Sequence, residues 1–335
     1  MLLIPARAME FEAPAAPPPV RAAVEQPADS FGEGLWNVAR FALRKLDPSL
    51  DRACRSLLGV CMAVLACGML RQMTSGTAAG VLDLGAAALA AGALLGPSLS
   101  LLRLGEQTVR QLNDYGKLLL PVMTGALAAQ GGVTASASLY AAAALFNALL
   151  SEAITRVMIP GIYLYLALSI GAAVTGEALL IGLRDLLQWM TGWVLKGSLY
   201  LFTGFLAVTG IVSGTADAAA VKAAKLTISG AVPVVGSILA DAAETVLVGA
   251  GLMRSAAGIY GLLTVLALCL TPYLQTGLQY LLLKAVSAFS ASLDSGKTAE
   301  LLGDFSAAMG MLMGMIGTQT VLLLVSTVCF MKGAS

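Results

Sequence analysis

Two carboxylates stand three residues apart inside an apolar stretch, at Asp241 and Glu244. Residues at i and i+3 share one face of a helix, so such a pair could bind a cation, share a proton or pair with a lysine. The nearest basic residues in sequence are Lys222, Lys225 and Arg254. The plainer account of the same residues is an interface or bundle salt bridge at the end of a short helix. Ionisable groups at membrane depth are costly and point to function by default. Just upstream, Pro233 and Gly236 shape the entry to this segment, and Asp217 precedes it. A second place of interest runs from Pro121 to Gly131 and Gly132. There an apolar piece too short to cross a bilayer meets a glycine pair. Short apolar pieces bounded by Pro or Gly mark re-entrant or broken helices, which survive at membrane depth only when buried in protein or facing a water-filled cavity.

Much other chemistry is missing from the inventory. The 335 residues contain no His, which removes the commonest general base, metal ligand and pH switch. Cys54, Cys61, Cys67, Cys269 and Cys329 form no CxxC and lie mostly in apolar runs, as small buried hydrophobes do. Neither a disulfide framework nor a metal site is suggested. Ser295-Gly296-Lys297-Thr298 lacks the upstream glycine that a nucleotide-binding loop requires. With 20 Lys+Arg against 19 Asp+Glu, there is no basic excess to hold nucleic acid. The residues therefore suggest no catalytic group, cofactor or metal, and energy would come from a partner or a gradient.

The elements that must position the candidate residues follow from composition. Hydrophobic residues make up 58% and charged residues 12%, against about 25% charged in an ordinary soluble domain. Mean hydropathy is +0.84. Apolar runs fall at residues 57–70, 81–102, 135–150, 157–175, 193–213, 256–271, 273–289 and 307–331, with shorter pieces at 118–129, 231–239 and 245–253. The expected fold is all-α and polytopic: about seven spanning helices plus re-entrant or broken half-helices. Pro121/Pro233 and Pro160/Pro272 share an offset of 112 residues, which is compatible with an internal repeat.

Three regions are expected. Residues 1–33 hold six of the 12 prolines before Ser30 and read as a disordered tail. Residues 34–56 place Leu35, Val38, Ala42 and Leu46 on one helical face and read as an amphipathic interfacial helix, ended at Pro48. Residues 57–332 read as the multi-pass membrane domain. Glu152 and Arg156 are expected to pair at i and i+4, close to a loop.

An ordered set of motifs carries a resemblance. "LLLPVMTGALAAQGGVTASAS" at 118–138 comes first, then "VMIPGIYLYLALS" at 157–169, then "TADAAAVKAAKLTISGAVPVVGSILADAAETVL" at 215–247. Together they resemble the stage III sporulation protein AE family of endospore-forming bacteria, with Asp217, Lys225, Pro233, Gly236 and Asp241 on the family's motif positions. The resemblance implies a non-enzymatic multi-pass subunit in the mother-cell membrane around the engulfed forespore. Its implied partners are other stage III sporulation A-operon proteins, including a secretion-type ATPase and ring-forming subunits, and indirectly stage II sporulation protein Q. Together these would form a channel or secretion-like apparatus. The competing reading from physics alone is a secondary transporter for a small solute or ion, which broken helices, a repeat and paired carboxylates would also suit.

Overall fold

The computed structural model describes residues 13–25, 31–72, 77–129, 133–208, 256–292 and 296–333. Among them every element is helical. α1 is Pro18–Val24, α2 Phe31–Gln72, α3 Thr77–Ala129 and α4 Val133–Ala153. A π-turn at Ile154–Met158 leads without a break into α5, Ile159–Thr175. α6 is Ala178–Val208, α7 Ala256–Ser292 and α8 Gly296–Gly333.

Prolines do not divide the helices where the sequence reading divides them. Pro48 lies inside α2, Pro97 and Pro121 inside α3, and Pro272 inside α7. An interior proline removes one backbone hydrogen bond. In a bilayer, however, an opened chain has no water to turn to, so keeping the rest of the helix is the better solution. Pro272 accordingly joins two expected spans into one, and α2 runs on through Pro48 from the amphipathic stretch to residues 57–70. Pro160 is absorbed differently, at the first turn of α5 just after the π-turn. Its missing N–H and its ring disfavour an ordinary helical bond at that point, and one wider turn relieves both.

These mergers join, among the described residues, apolar runs that the sequence reading counts separately. Four helices among the described residues are long and apolar enough to cross a membrane: Gly80–Ala128, Ala137–Thr175, Gly258–Ser292 and Gly296–Met331. Glu152 and Arg156 do pair, Nε to Oε1 at 2.5 Å, but on the exposed side of a continuous helix rather than beside a loop.

α8 is the axis of the molecule. It packs against α3, α4, α5, α6 and α7, and 78% of its most apolar window is buried. A helix apolar all round belongs in such a central place. α7 returns beside it as an antiparallel neighbour: Ser306 Oγ donates to the Tyr280 carbonyl at 3.2 Å and Ser287 Oγ to the Ala299 carbonyl at 2.8 Å. α3 runs parallel to α8 and touches it at two glycines. A Cβ on Gly105 would lie 2.4 Å from Leu312 Cδ1, and one on Gly116 would lie 3.1 Å from Leu323 Cδ1. Where lipid removes the hydrophobic drive between helices, such close backbone approach is how they gain contact.

α5 and α6 form a helical hairpin. Gly176 adopts φ +70°, and its N–H donates to the Ala172 carbonyl at 2.7 Å. This left-handed cap ends α5, and glycine takes it without a Cβ penalty. One face of α6 carries exposed Leu179, Leu183, Leu186, Met190, Trp193 and Leu201. The opposite face buries Arg184, Thr191, Leu195, Leu199, Phe202 and Leu206.

Within the stretch expected to be a disordered tail, residues 13–25 are docked. Val20, Ala23 and Val24 of α1 are buried. The Ala16 N–H donates to the Tyr260 hydroxyl at 3.1 Å, and the Tyr115 hydroxyl donates to the Pro14 carbonyl at 3.5 Å.

Candidate functional site

α8 carries two polar stations in an apolar environment, and each draws in side chains from other helices. The first lies in its opening turns. Arg184 on α6 donates through Nη1 to Asp304 Oδ2 at 2.7 Å and to Glu300 Oε1 at 3.1 Å. Its Nε donates to Asp185 Oδ1 at 3.1 Å. From α5, the Tyr165 hydroxyl donates to Asp304 Oδ1 at 3.3 Å. The Arg184 and Asp304 side chains are only 10% and 12% exposed, whereas Asp185 and Glu300 are 60% and 56% exposed. The core of the station is therefore one buried ion pair, with two carboxylates reaching toward the surface.

Local sequence explains the placement. Arg184 sits on the buried face of α6, two turns after the Gly176 turn, so the hairpin delivers its guanidinium to α8. Glu300 and Asp304 are i and i+4 on α8 and present two acceptors along one face. A guanidinium presents five N–H donors in a rigid planar fork that reaches oxygens on different sides, a geometry an ammonium does not offer. The arrangement ties α5, α6 and α8 at one end of the bundle.

The second station lies fifteen residues further along α8, at Gln319. Its Nε2 donates to Asn147 Oδ1 at 2.5 Å, and Asn147 Nδ2 donates on to Asn113 Oδ1 at 3.1 Å. Gln319 and Asn147 are almost wholly buried, and Gln319 Oε1 has no partner among the described residues. An amide chain thus crosses from α8 through α4 to α3. Neutral amides bridging helices in lipid contribute about 0.6 kcal/mol on average. They set rotation and register more than they set stability.

The residues singled out by sequence lie elsewhere. Pro121 is on the exposed side of α3. Gly131 and Gly132 lie outside the described residues, between the ends of α3 and α4. Asp217, Lys222, Lys225, Pro233, Gly236, Asp241 and Glu244 also lie outside them. The two α8 stations were not foreseen. The signal for Asn147 is a lone amide in a mostly apolar run, and for Arg184 an Arg-Asp pair between Leu183 and Leu186. No group of three or more His, Cys, Asp or Glu residues placed to hold a metal ion occurs among the described residues.

Comparison with known proteins adds what geometry does not. The profile of a family described as Stage III sporulation protein AE matches residues 60–334. A curated relative, Stage III sporulation protein AE of Bacillus subtilis (strain 168), is 22% identical over 203 residues. That match covers 61% of this chain and 51% of the relative, so it spans about half the relative's length. No solved structure matches.

Proposed function

Because this chain belongs to the stage III sporulation protein AE family, we propose that it is a non-catalytic, multi-pass membrane subunit of the sporulation complex joining mother cell and forespore. The match over residues 60–334 carries the reading. It extends through the whole apolar part of the chain, including the segment with Asp241 and Glu244. Four helices able to span a bilayer suit a subunit in the mother-cell membrane around the engulfed forespore. The partners that fit are the other stage III A-operon proteins, among them a secretion-type ATPase and ring-forming subunits, with stage II sporulation protein Q reached through them. An external ATPase would supply the energy for which this chain has no nucleotide loop. Family membership favours this role over a free-standing secondary transporter.

A clean deletion in the producing organism should complete engulfment and then stall before late forespore development, with heat-resistant spores falling by orders of magnitude. Spore counts after heating, with and without a complementing copy, read this out. An undiminished yield sinks the proposal.

Within that role, Asp241 and Glu244 face water or a partner subunit. Two carboxylates placed in hydrocarbon would each cost about 2.5–3.5 kcal/mol even on the lenient insertion scale, so they need water, a proton or a cation. Cysteine substitutions at both positions, in a background lacking the five native cysteines, should react with a membrane-impermeant thiol reagent from at least one side. Silence at both sites, from either side and with or without partners, removes the water-facing reading.

A further inference from the structure

α3 and α8 lie in a fixed register. The close contacts of Gly105 with Leu312 and of Gly116 with Leu323 share one offset along two parallel helices. Residues 103–117 of α3 therefore stand beside residues 310–324 of α8. The bonds of Ser306 to Tyr280 and of Ser287 to Ala299 set residues 262–276 of α7 at the same level. Neither of these stretches of α7 and α8 carries a charged side chain, whereas α3 carries five there: Arg103, Glu106, Arg110, Asp114 and Lys117. On α8 no charge occurs from residue 305 to residue 331. A hydrocarbon core takes about 20 helical residues. Wherever that length is laid within residues 305–331, at least four of the five α3 charges fall inside it.

These charges do not point into the bundle. Val109, Leu112 and Leu119 share the buried face of α3 with Gly105 and Gly116. Arg103, Gln107, Arg110, Asp114 and Lys117 recur at three and four residues on the opposite, exposed face. Arg110 Nη2 donates to Glu106 Oε1 at 2.9 Å and Lys117 Nζ to Asp114 Oδ1 at 3.1 Å, both within α3. Arg110, Asp114 and Lys117 remain more than half exposed. Ionised groups at membrane depth face the bundle interior or a water-filled cavity rather than lipid. Their exposure excludes the interior. A protein partner is the poorer fit, because interface cores are depleted of charged residues. Covering pairs that α3 already completes would also strip their water without supplying a new counter-charge. The exposed Glu152–Arg156 pair reaches the same level on neighbouring α4, since Asn147 meets Gln319 and Tyr165 meets Asp304 along an antiparallel path.

We propose that the outer face of α3 from Arg103 to Lys117 lines a water-filled passage at membrane depth and forms its wall for hydrated, polar solutes. This rests on the membrane role proposed above and adds the element that meets water. The test places single cysteines in a background lacking the five native ones, in membranes of the producing organism during sporulation. Gln107→Cys and Arg110→Cys should react with a charged methanethiosulfonate at least about tenfold faster than Leu201→Cys, because a thiol in apolar surroundings holds less thiolate. Leu201 is the control: it is exposed on α6 at a matching level, since Leu195 meets Gly314 and Arg184 meets Asp304. Gln107→Cys breaks no ion pair, so it carries the test should Arg110→Cys fail to accumulate. Equal rates at all three sites place this level outside the bilayer and overturn the proposal. So does silence at both α3 sites in chains that accumulate normally. Shielding of α3 in sporulating cells, with labelling of the chain reconstituted alone, makes a protein partner the occupant and also overturns it. Spore yield in the deletion strain bears on the complex and not on these rates, so the two failures are told apart.

Discussion

Arg184→Met should detach the α5–α6 hairpin from the central helix and produce the largest loss of stability of any single substitution considered. The change keeps most of the side-chain volume but removes the cation that, among the described residues, serves Asp304, Glu300 and Asp185. The two outer carboxylates are more than half exposed and can turn to water. Asp304 cannot, and the donors left to it among the described residues are neutral hydroxyls such as that of Tyr165, at 3.3 Å. Removing one partner of a buried ion pair typically costs about 3–5 kcal/mol, because the other charge is left uncompensated. Thermal unfolding of the purified chain in detergent or nanodiscs measures it. Three companions locate the cause. Arg184→Lys should lose less but still lose, since one ammonium cannot reproduce the fork. Glu300→Gln should cost under about 1 kcal/mol, as an exposed partner. Arg184→Met combined with Asp304→Leu should recover much of the loss, because a matched apolar pair leaves nothing charged behind. If Arg184→Met proves no worse than Glu300→Gln, the buried pair is not what holds the hairpin.

Gly105→Val should force α3 away from α8. The new Cβ would meet Leu312 at 2.4 Å to Cδ1, 3.0 Å to Cγ and 3.2 Å to Cδ2, so rotating the leucine tip does not clear it. Leu312 is fully buried and has nowhere to retreat. Overpacking of this kind costs about 1–3 kcal/mol and sometimes more. The consequence extends along the helix, because Gly116 contacts α8 three turns on, beside both Leu323 and the Asn147 amide. Moving α3 at Gly105 therefore also strains the Asn113–Asn147–Gln319 chain. Gly105→Ala should be milder, and Gly105→Val with Leu312→Ala should lose less than the two single losses added together, the mark of sites in contact. Gly92→Ala is the control. Nothing lies within 4 Å of its added Cβ, and alanine is the better helix former by about 1 kcal/mol. Equal melting temperatures for Gly105→Val and Gly92→Ala would falsify the close-contact account.

Membrane residence and helical class were legible because they depend on amounts. Too few charges to coat a water-facing surface and apolar runs of bilayer length are properties of composition, and the bilayer allows such runs little but helix. The family was legible for a different reason: motif order over residues 118–247 survives without any knowledge of packing. The exposed row on α6, from Leu179 to Leu201, follows from spacing alone once its helix is granted.

Continuity and pairing were not open to that reading. Pro48, Pro121 and Pro272 look identical in sequence to helix ends, and in water they often are. Inside lipid the same residue costs one bond while breaking the helix would cost several, so the helices of Pro121 and Pro272 run through. Pro160 shows the other outcome, a π-turn, and no local pattern distinguishes it from Pro272. Arg184 and Asp304 are 120 residues apart, and Asn147 and Gln319 are 172 apart. Each looks like a stray polar residue until the hairpin turn at Gly176 and the central position of α8 bring it to its partner. A solvent preference is summed residue by residue along the chain, whereas the identity of a buried group's partner exists only after distant helices have packed.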